Sequence, residues 1–473
     1  MIFNSFQFIW LFPIIFVIYW ICRKFDRSHF EISKYALLII SYGVYMQWSL
    51  FFGFVLLFVS LTTYGGAIAI GRHRRHARAL MWTSVLATLA PLLTFKYFNF
   101  ISQSGASVLQ WIGIDAAPAE ISWVVPLGLS FYTFQALGYL CDVYYDKIKP
   151  ETALVNYLLF IAFFPQILCG PISRADSLLP QLRSPRQFSY AQAVSGLRLI
   201  LWGVFLKVVV ADRVGMYVDT VYANYLHYSG SSSILAAVLY SIQIYGDFAG
   251  YSYIAVGVAR LLGIDLVINF RRPYLAQSVS GFWKRWNISL TRWLTSYIYI
   301  PLGGSRKGKI RTYLNIIATF LVSGIWHGAN WTFIFWGLLH GFCQVIEKAL
   351  GLNKIESRGI MRVLRTALTF TLVTLAWVYF RMPDIAYANK VIGHMFSFGT
   401  PYIDTKTMTY ACIGIVTMFA LEFIMELRAR LYTRLATTGG AVRVLRWAVY
   451  LSLLMIILLT GVLDSSQFIY VIF

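Results

Sequence analysis

The chain has 473 residues, of which 59% are hydrophobic and only 12% are charged, and its mean hydropathy is +0.66. Soluble globular proteins carry about twice that charged fraction, roughly 25%. This composition excludes a soluble enzyme, a disordered chain and a collagen-like fibre. It indicates a multi-pass membrane protein.

The net charge is +21, from 40 Lys and Arg against 19 Asp and Glu. The basic residues cluster in short loops between apolar runs, which is typical of cytoplasmic loops and argues against nucleic acid as a partner. The cysteines are scattered through apolar stretches without a C-x-x-C pair, so neither a disulfide framework nor a metal site is indicated. They are Cys22, Cys141, Cys169, Cys343 and Cys412.

Apolar runs of about 20 residues, the length of one helical span, recur along the chain. They do not alternate apolar with polar residues, so they predict helices rather than barrel strands. The run at 312–349 is long enough for two short spans. The first run lacks the features of a cleavable signal peptide, and we expect it to remain as a span. The runs lie near residues 5–22, 35–49, 51–70, 80–101, 122–144, 153–169, 195–211, 233–263, 312–349, 364–381, 408–425 and 447–463.

Four basic loops set the predicted orientation, because positively charged loops stay in the cytoplasm. The loop 102–121 contains Asp115 and Glu120 and no basic residue, so we expect it outside. Counting spans from these loops places both termini outside. The four basic loops are 71–78, 305–311, 348–365 and 428–446.

The strongest candidate for chemistry is His327, in the apolar stretch 321–341. Ionisable groups at membrane depth are costly and are functional candidates by default. Gly324 and Gly328 bracket it and allow a close helix approach or a break. A histidine can take a proton from a hydroxyl and return it; the alternative role is a structural hydrogen bond between helices. For His340, near the cytoplasmic end of the same run, we predict a structural polar contact.

A basic amphipathic helix is predicted over residues 280–304, lying in the membrane interface. Asn287 falls within its apolar face, where an amide needs either another helix or a group in a cavity as partner. The basic face fits a phosphate-bearing cofactor from the cytosol or anionic lipid headgroups. The apolar face comprises Trp283, Trp286, Leu290, Trp293, Leu294 and Tyr297, and the basic face Lys284, Arg285 and Arg292.

Three further features are polar or irregular within apolar runs. Asp247 lies among small residues in 244–264, which favours tight helix packing around a buried carboxylate. The stretch 163–182 predicts a broken or re-entrant segment, because Pro165, Gly170, Pro171 and Pro180 interrupt it. Lys96 and Lys207 are interpreted as lysines that snorkel to an interface, without a chemical role.

Six motifs in order then resemble a known family. They are FFPQILCGPISRADSLLPQL (163–182), DFAGYS (247–252), NFRRPYLAQSVSGFWKRWNISL (269–290), YIYIPLGG (297–304), SGIWHGANWTFIFWG (323–337) and SSQFIYVIF (465–473). Together they are similar to the membrane-bound O-acyltransferase family, and most similar to its bacterial alginate-type members.

The resemblance implies an all-α polytopic fold: a ring of tilted transmembrane helices around a central tunnel, with broken and interfacial helices. We expect one transmembrane domain over 1–473, with peripheral helices at about 1–120, a catalytic core at about 121–350 and C-terminal helices at about 351–473. It also implies the bacterial inner membrane as location.

The resemblance assigns His327 as the catalytic histidine and Asn287 to the family's second motif position. The alginate-type members usually carry histidine at that position, so Asn287 is a departure that leaves His327 as the one strong proton carrier. We predict substrate contacts from six residues beside these motifs: Trp326, Trp286, Trp283, Arg285, Asp247 and Tyr251.

The predicted reaction moves an acyl group, expected to be acetyl, from a cytosolic thioester to a hydroxyl on the far side of the bilayer. The donor is acyl-CoA or an acyl carrier protein thioester, with no tightly bound cofactor and no metal. The acceptor is an exported polysaccharide, a wall polymer or a periplasmic carrier protein. A transporter or flippase of a polymer precursor fits the same topology, and a non-catalytic scaffold is the third alternative.

Overall fold

The computed structural model describes residues 6–26, 31–184, 186–355, 357–427 and 440–462. Within these ranges the chain is helical and contains no β-strand. Seven helical segments of this described part are long and apolar enough to cross a membrane. The predicted all-α, multi-pass membrane class is therefore confirmed. The motif at 465–473 and residues 428–439 of the fourth basic loop lie outside the described residues.

Five helices form the N-terminal part, and the first four follow the predicted apolar runs. The fifth extends to Trp111, so the first half of the predicted loop 102–121 is helical. The hydroxyl of Ser49 caps α3 by accepting a hydrogen bond from the Phe51 N–H at 3.2 Å. A π-helical turn over Leu93–Tyr97 joins α4 to α5 without a break in the chain direction. The helices are α1 (Phe6–Lys24), α2 (Ile32–Met46), α3 (Leu50–Arg72), α4 (Ala77–Leu92) and α5 (Phe98–Trp111).

Eleven helices form the described central part, and the run 312–349 is divided into two of them, as predicted. They are α6 (Leu129–Tyr144), α7 (Leu154–Ala162), α8 (Phe164–Ile167), α9 (Ala175–Arg183), α10 (Tyr190–Val204), α11 (Asp212–Ala223), α12 (Gly230–Leu261), α13 (Val279–Trp283), α14 (Ile288–Leu294), α15 (Gly308–His327) and α16 (Trp331–Ala349). The described C-terminal helices are α17 (Gly359–Arg381), α18 (Ile385–His394), α19 (Thr405–Leu427) and α20 (Gly440–Thr460).

The longest helix, α12, is buried along most of its length and packs closely against α10. A Cβ on Gly203 would lie 2.5 Å from the carbonyl oxygen of Gly250, and a Cβ on Gly257 would lie 2.6 Å from that of Gly196. Small residues let two helix backbones approach when lipid gives no hydrophobic drive for association. The predicted tight packing around 244–264 is confirmed.

The predicted interruption at 163–182 is also confirmed, with one correction. The chain turns at Phe163 between α7 and α8 and runs without helix over 168–174 before α9. Pro180 does not interrupt it, because this proline lies within α9. Most of the segment is buried, and irregular backbone is tolerated in a membrane where protein covers it.

Three basic loops lie on the same side of the helices. Arg74, in the loop 71–78, donates to the backbone oxygens of Val143 and Tyr144 at the end of α6. The loops 305–311 and 348–365 flank the antiparallel pair α15 and α16 at that end. We call this side the basic face. The loop 112–128 and the bend between α15 and α16 lie on the opposite side.

Candidate active site

His327 is the last residue of α15, at the end away from the basic face. Twenty residues of α-helix rise about 30 Å, the thickness of a hydrocarbon core. Gly328 then leaves the helix with extended backbone, and Asn330 begins α16 by accepting a hydrogen bond from the Thr332 N–H at 3.0 Å. The imidazole is therefore held at a bend between two antiparallel helices.

Gly324 lets these two helices meet one turn before His327. A Cβ at this position would lie 2.4 Å from the carbonyl oxygen of Phe333 on α16. No L side chain fits such a gap without moving the backbone of one helix. The two bracketing glycines thus supply both predicted features, a close approach at Gly324 and a break at Gly328.

Aromatic rings surround the imidazole. The ring centroids of Trp326, Trp336 and Phe380 lie 4.8, 4.8 and 5.3 Å from that of His327. Only 3% of His327 is exposed. Such a site is poor in water, so electrostatic interactions within it are strong.

Lys96 stabilises the helix end that carries His327. Its Nζ donates to the carbonyl oxygens of Trp326 and His327, at 3.1 and 2.9 Å. The last carbonyls of a helix lack partners within the helix and carry partial negative charge, so a cation is favourable there. Lys96 therefore binds the end of α15, rather than snorkelling to an interface as predicted.

A small cavity of about 60 Å³ lies beside His327, on the side opposite the basic face. It has room for a few water molecules. The imidazole is therefore not sealed within packed side chains. The cavity wall combines Lys96, Trp326 and His327 with the residues 125–131 leading into α6 and with Leu168 and Cys169 of the broken segment.

A larger cavity of about 290 Å³ lies on the basic-face side of the same helix pair. Ser323 of α15 lines it, one turn before His327. About 6 Å of helix rise therefore separates the residues that line the two cavities. Lys284 and Lys348 also line the larger cavity, together with Trp283, Phe320, Gln344 and Asn353.

The predicted continuous helix over 280–304 was wrong, because Asn287 divides it. The chain leaves α13 after Trp283 and enters α14 at Ile288, with Asn287 at φ +38°. Few residues other than glycine adopt this left-handed conformation, and asparagine is one of them. The predicted division into faces holds in part. Trp283, Trp286, Leu290, Trp293 and Leu294 are buried and Lys284 and Arg292 are exposed, whereas Tyr297 and Arg285 are both half-buried.

The side chain of Asn287 is fully buried, and within the described residues neither its amide oxygen nor its nitrogen has a hydrogen-bond partner. The backbone that follows Asn287 is fixed. The Ile288 N–H donates to the carbonyl oxygen of Asn269, and the Ser289 N–H donates to Asn269 Oδ1, both at 3.0 Å. An unpaired buried polar group costs about 1–3 kcal/mol. The fold thus holds an amide ready for a partner from outside these residues.

A continuous set of ring contacts connects the Asn287 turn to His327. Trp286 packs against Trp377 at a centroid distance of 5.1 Å, and Trp377 packs against Trp336 at 5.5 Å. Trp336 in turn contacts His327. The structure therefore brings together His327, Trp326 and Trp286 of the predicted site, and also Trp283, whose ring lies 5.6 Å from that of Trp336. The Trp283 indole N–H donates to His340 Nδ1 at 3.3 Å, the polar contact predicted for His340.

The other three residues predicted to contact substrate are Arg285, Asp247 and Tyr251. Arg285 forms an ion pair with Glu426 of α19, with Nη2 and Oε1 2.9 Å apart. Asp247 pairs with Lys207, with Oδ1 and Nζ 2.5 Å apart. Tyr251 is buried on α12, one turn after Asp247.

Lys207 has a second carboxylate partner, Asp212, at 2.7 Å. Its side chain is only 1% exposed, so the prediction that it snorkels to an interface was wrong. It lies in the π-helical turn Phe205–Ala211, which follows α10. The additional residue in a π turn shifts the side chains that follow, and such turns are frequent at functional sites.

Several residues that shape this site are not predicted from the sequence. Lys96 was visible as a lysine in an apolar run, but the sequence did not reveal its partner. Trp377, Phe380 and Glu426 reach the site from segments that are distant in the chain, and no local pattern indicates them. Cys169 lies in the predicted broken segment, but its place in the cavity wall was not predicted.

Comparison with known proteins shows the family of the chain. The profile of MBOAT, the membrane-bound O-acyltransferase family, matches residues 5–354. A probable alginate O-acetylase of Pseudomonas syringae pv. tomato is 36% identical over 406 residues, covering 84% of this chain and 76% of the relative. A peptidoglycan O-acetyltransferase of Helicobacter pylori is 32% identical over 432 residues, covering 84% and 80%.

A teichoic acid D-alanyltransferase of Streptococcus thermophilus is more distant, with 28% identity over 293 residues, covering 56% of this chain and 70% of the relative. The match to the family profile extends over most of the chain, including the bend that carries His327 and the turn that carries Asn287. The chain belongs to the membrane-bound O-acyltransferase family and is an O-acyltransferase.

Proposed function

We propose that the protein transfers an acyl group, expected to be acetyl, to a hydroxyl of an exported polysaccharide or other cell-surface polymer. A periplasmic carrier protein that passes the group to such a polymer is an equivalent acceptor. The names of the relatives support a polymer, since they refer to alginate, peptidoglycan and teichoic acid. The observation that carries the proposal is the position of His327, one helical turn from a second cavity that lies toward the opposite face.

The donor is a thioester of coenzyme A or of an acyl carrier protein, entering from the basic face. Basic loops face the cytosol by the positive-inside rule, which orients this multi-pass protein in the bacterial inner membrane with both termini outside. Lys284 and Lys348 line the cavity on that face. Their ammonium groups complement the phosphates that both donors carry.

His327 acts as general base on the acceptor hydroxyl. The hydroxyl enters the small cavity, the imidazole takes its proton, and the oxygen attacks the thioester carbonyl carbon. The tetrahedral intermediate then collapses, breaking the carbon–sulfur bond, and the imidazolium returns the proton to the thiolate. The products are an ester and a free thiol. General-base catalysis of this kind contributes about 10²–10⁴-fold.

Asn287 is the candidate for stabilising the negative charge on the carbonyl oxygen during attack. Its amide N–H groups are donors that need no change of protonation, and the amide has no partner among the described residues. A donor fixed in advance at such a position is worth about 10²–10³ in rate. His327 moves the proton, and Asn287 offers the hydrogen bond.

The test uses the full chain in proteoliposomes, with labelled acetyl coenzyme A on one side and alginate oligosaccharide on the other. We expect His327→Ala to lower ester formation by about 10²–10⁴ while the protein keeps its thermal unfolding midpoint. His76→Ala, at an exposed histidine in the loop 71–78, is the matched control and should transfer at the wild-type rate. A wild-type rate for His327→Ala contradicts the proposal, as does intact thioester crossing without ester formation.

A further inference from the structure

Two chain segments form the base of the turn that presents Asn287. The Arg271 N–H donates to the carbonyl oxygen of Arg285 at 2.9 Å, and the Ile288 N–H donates to that of Asn269 at 3.0 Å. The segment 269–272 therefore holds the chain on both sides of Asn287. The position of the Asn287 amide depends on how firmly these two segments are joined.

A carboxylate from the C-terminal part joins them. Glu426 of α19 forms an ion pair with Arg272, with Oε2 and Nε 2.8 Å apart, and accepts a hydrogen bond from Arg285 Nη2 at 2.9 Å, so it contacts one arginine from each segment. The two cationic side chains are close to each other, because they contact the two oxygens of one carboxylate. Two like charges at such a distance repel unless an anion lies between them. Glu426 is that anion.

The same helix contacts the other side of the turn. Glu422, one turn before Glu426, is buried and accepts a hydrogen bond from the Tyr245 hydroxyl. The ring of Tyr245 packs against Trp286 at 6.1 Å, and Trp286 is the neighbour of Asn287. Helix α19 lies beyond residue 354, where the match to the family profile ends. Its role is therefore not carried over from that match.

We propose that Glu426 is a positioning residue for acyl transfer, which holds Arg272 and Arg285 together so that the Asn287 amide faces the reacting carbonyl. This inference rests on the proposed function, because it assigns Glu426 an effect that acts through Asn287. Under this proposal, α19 contributes to catalysis through Glu426.

The informative substitution is Glu426→Gln, which keeps the size of the side chain and removes its charge. Arg272 and Arg285 then repel each other, the two segments separate, and the Asn287 amide moves from its place. We expect kcat to fall by about tenfold or more, within the range of coupling measured between neighbouring residues. The KM for acetyl coenzyme A should change by less than about threefold, because the lysines of the larger cavity are untouched.

A double-mutant cycle separates positioning from a general structural role. It compares Glu426→Gln, Asn287→Ala and the double variant with wild type, in the proteoliposome assay above. If Glu426 acts through Asn287, the double variant should be within about twofold of Asn287→Ala alone. Adding Arg272→Gln to Glu426→Gln removes the repulsion between the two arginines and should restore part of the lost kcat.

The matched control is Asp265→Asn, which breaks the exposed ion pair of Asp265 with Arg260 and should leave kcat unchanged. Multiplicative losses in the double variant overturn the inference, and so does a wild-type rate for either single variant. A lowered thermal midpoint of Glu426→Gln that accounts for the lost activity also overturns it. A different result would contradict the proposed function itself: the wild-type protein would form no ester.

Discussion

Lys207 is buried between two carboxylates, and replacing it with methionine should destabilise the protein strongly. Its Nζ lies 2.7 Å from Asp212 and 2.5 Å from Asp247, and all three side chains are at most 3% exposed. Lys207→Met leaves two buried carboxylates without their cation. Removing one partner of a buried ion pair costs about 3–5 kcal/mol, so we expect a loss of at least that size.

Asp247→Asn should behave differently. The net formal charge of the cluster of Lys207, Asp212 and Asp247 changes from −1 to 0, and Lys207 keeps Asp212 as its partner. We expect a loss of stability of about 1 kcal/mol or less, the size of one ordinary hydrogen bond, and ester formation near the wild-type rate. The measurement is the thermal unfolding midpoint of purified protein in detergent, together with the transfer rate.

The control for these variants is Asp219→Asn, which breaks the exposed ion pair of Asp219 with Arg381 and should cost no more than about 1 kcal/mol. A wild-type midpoint for Lys207→Met would refute the reasoning. So would an Asp247→Asn protein of normal stability that no longer forms ester, since Asp247 would then contact substrate as the sequence predicted.

Two further predictions concern the helix contact at Gly324 and the lysines of the larger cavity. Gly324→Ala should lower the thermal midpoint by the equivalent of about 1–3 kcal/mol of overpacking and lower kcat, because its Cβ meets the Phe333 carbonyl. The control is Gly43→Ala, whose Cβ has nothing within 4 Å. Equal midpoints for the two variants would contradict the close approach of α15 and α16. Lys284→Gln combined with Lys348→Gln should raise the KM for acetyl coenzyme A about tenfold, the equivalent of 1.4 kcal/mol of binding, with kcat little changed. Lys309→Gln, an exposed residue of the same face outside the cavity, is its control, and an unchanged KM in the double variant would place the donor elsewhere.

The features that could be predicted from the sequence depend on short-range patterns and on the bilayer. The spans follow from apolar run length, since a hydrocarbon core of fixed thickness demands it. The division of 312–349 at Gly328 and the buried face of 280–304 follow from glycine and from helical periodicity. In each case one segment of chain contains the whole signal.

The features that could not be predicted depend on partners far away in the chain. The sequence predicts Asn287 within a continuous helix. The one local sign of the break is that asparagine tolerates left-handed backbone. Lys207 and its partner Asp247 are 40 residues apart, and Glu426 is 141 residues from Arg285. Charge pairs over such separations are set by how α10, α12 and α19 pack, and no local pattern encodes that packing.

Long-range contacts explain how the site can be rigid although each of its two polar groups lies where regular structure breaks. His327 lies at a helix end, and Asn287 lies at a left-handed turn. A helix end and a left-handed turn are ordinarily the most mobile parts of a helical protein, yet catalysis needs groups fixed within about 0.5 Å. At His327 the ammonium of Lys96 holds the last carbonyls and Gly324 holds α15 against α16. At Asn287 the backbone bonds to Asn269 and the carboxylate of Glu426 do the same. Under the proposed function, a thioester and a hydroxyl that approach from opposite faces therefore meet a proton carrier and a hydrogen-bond donor already in position, and only the substrates need to move.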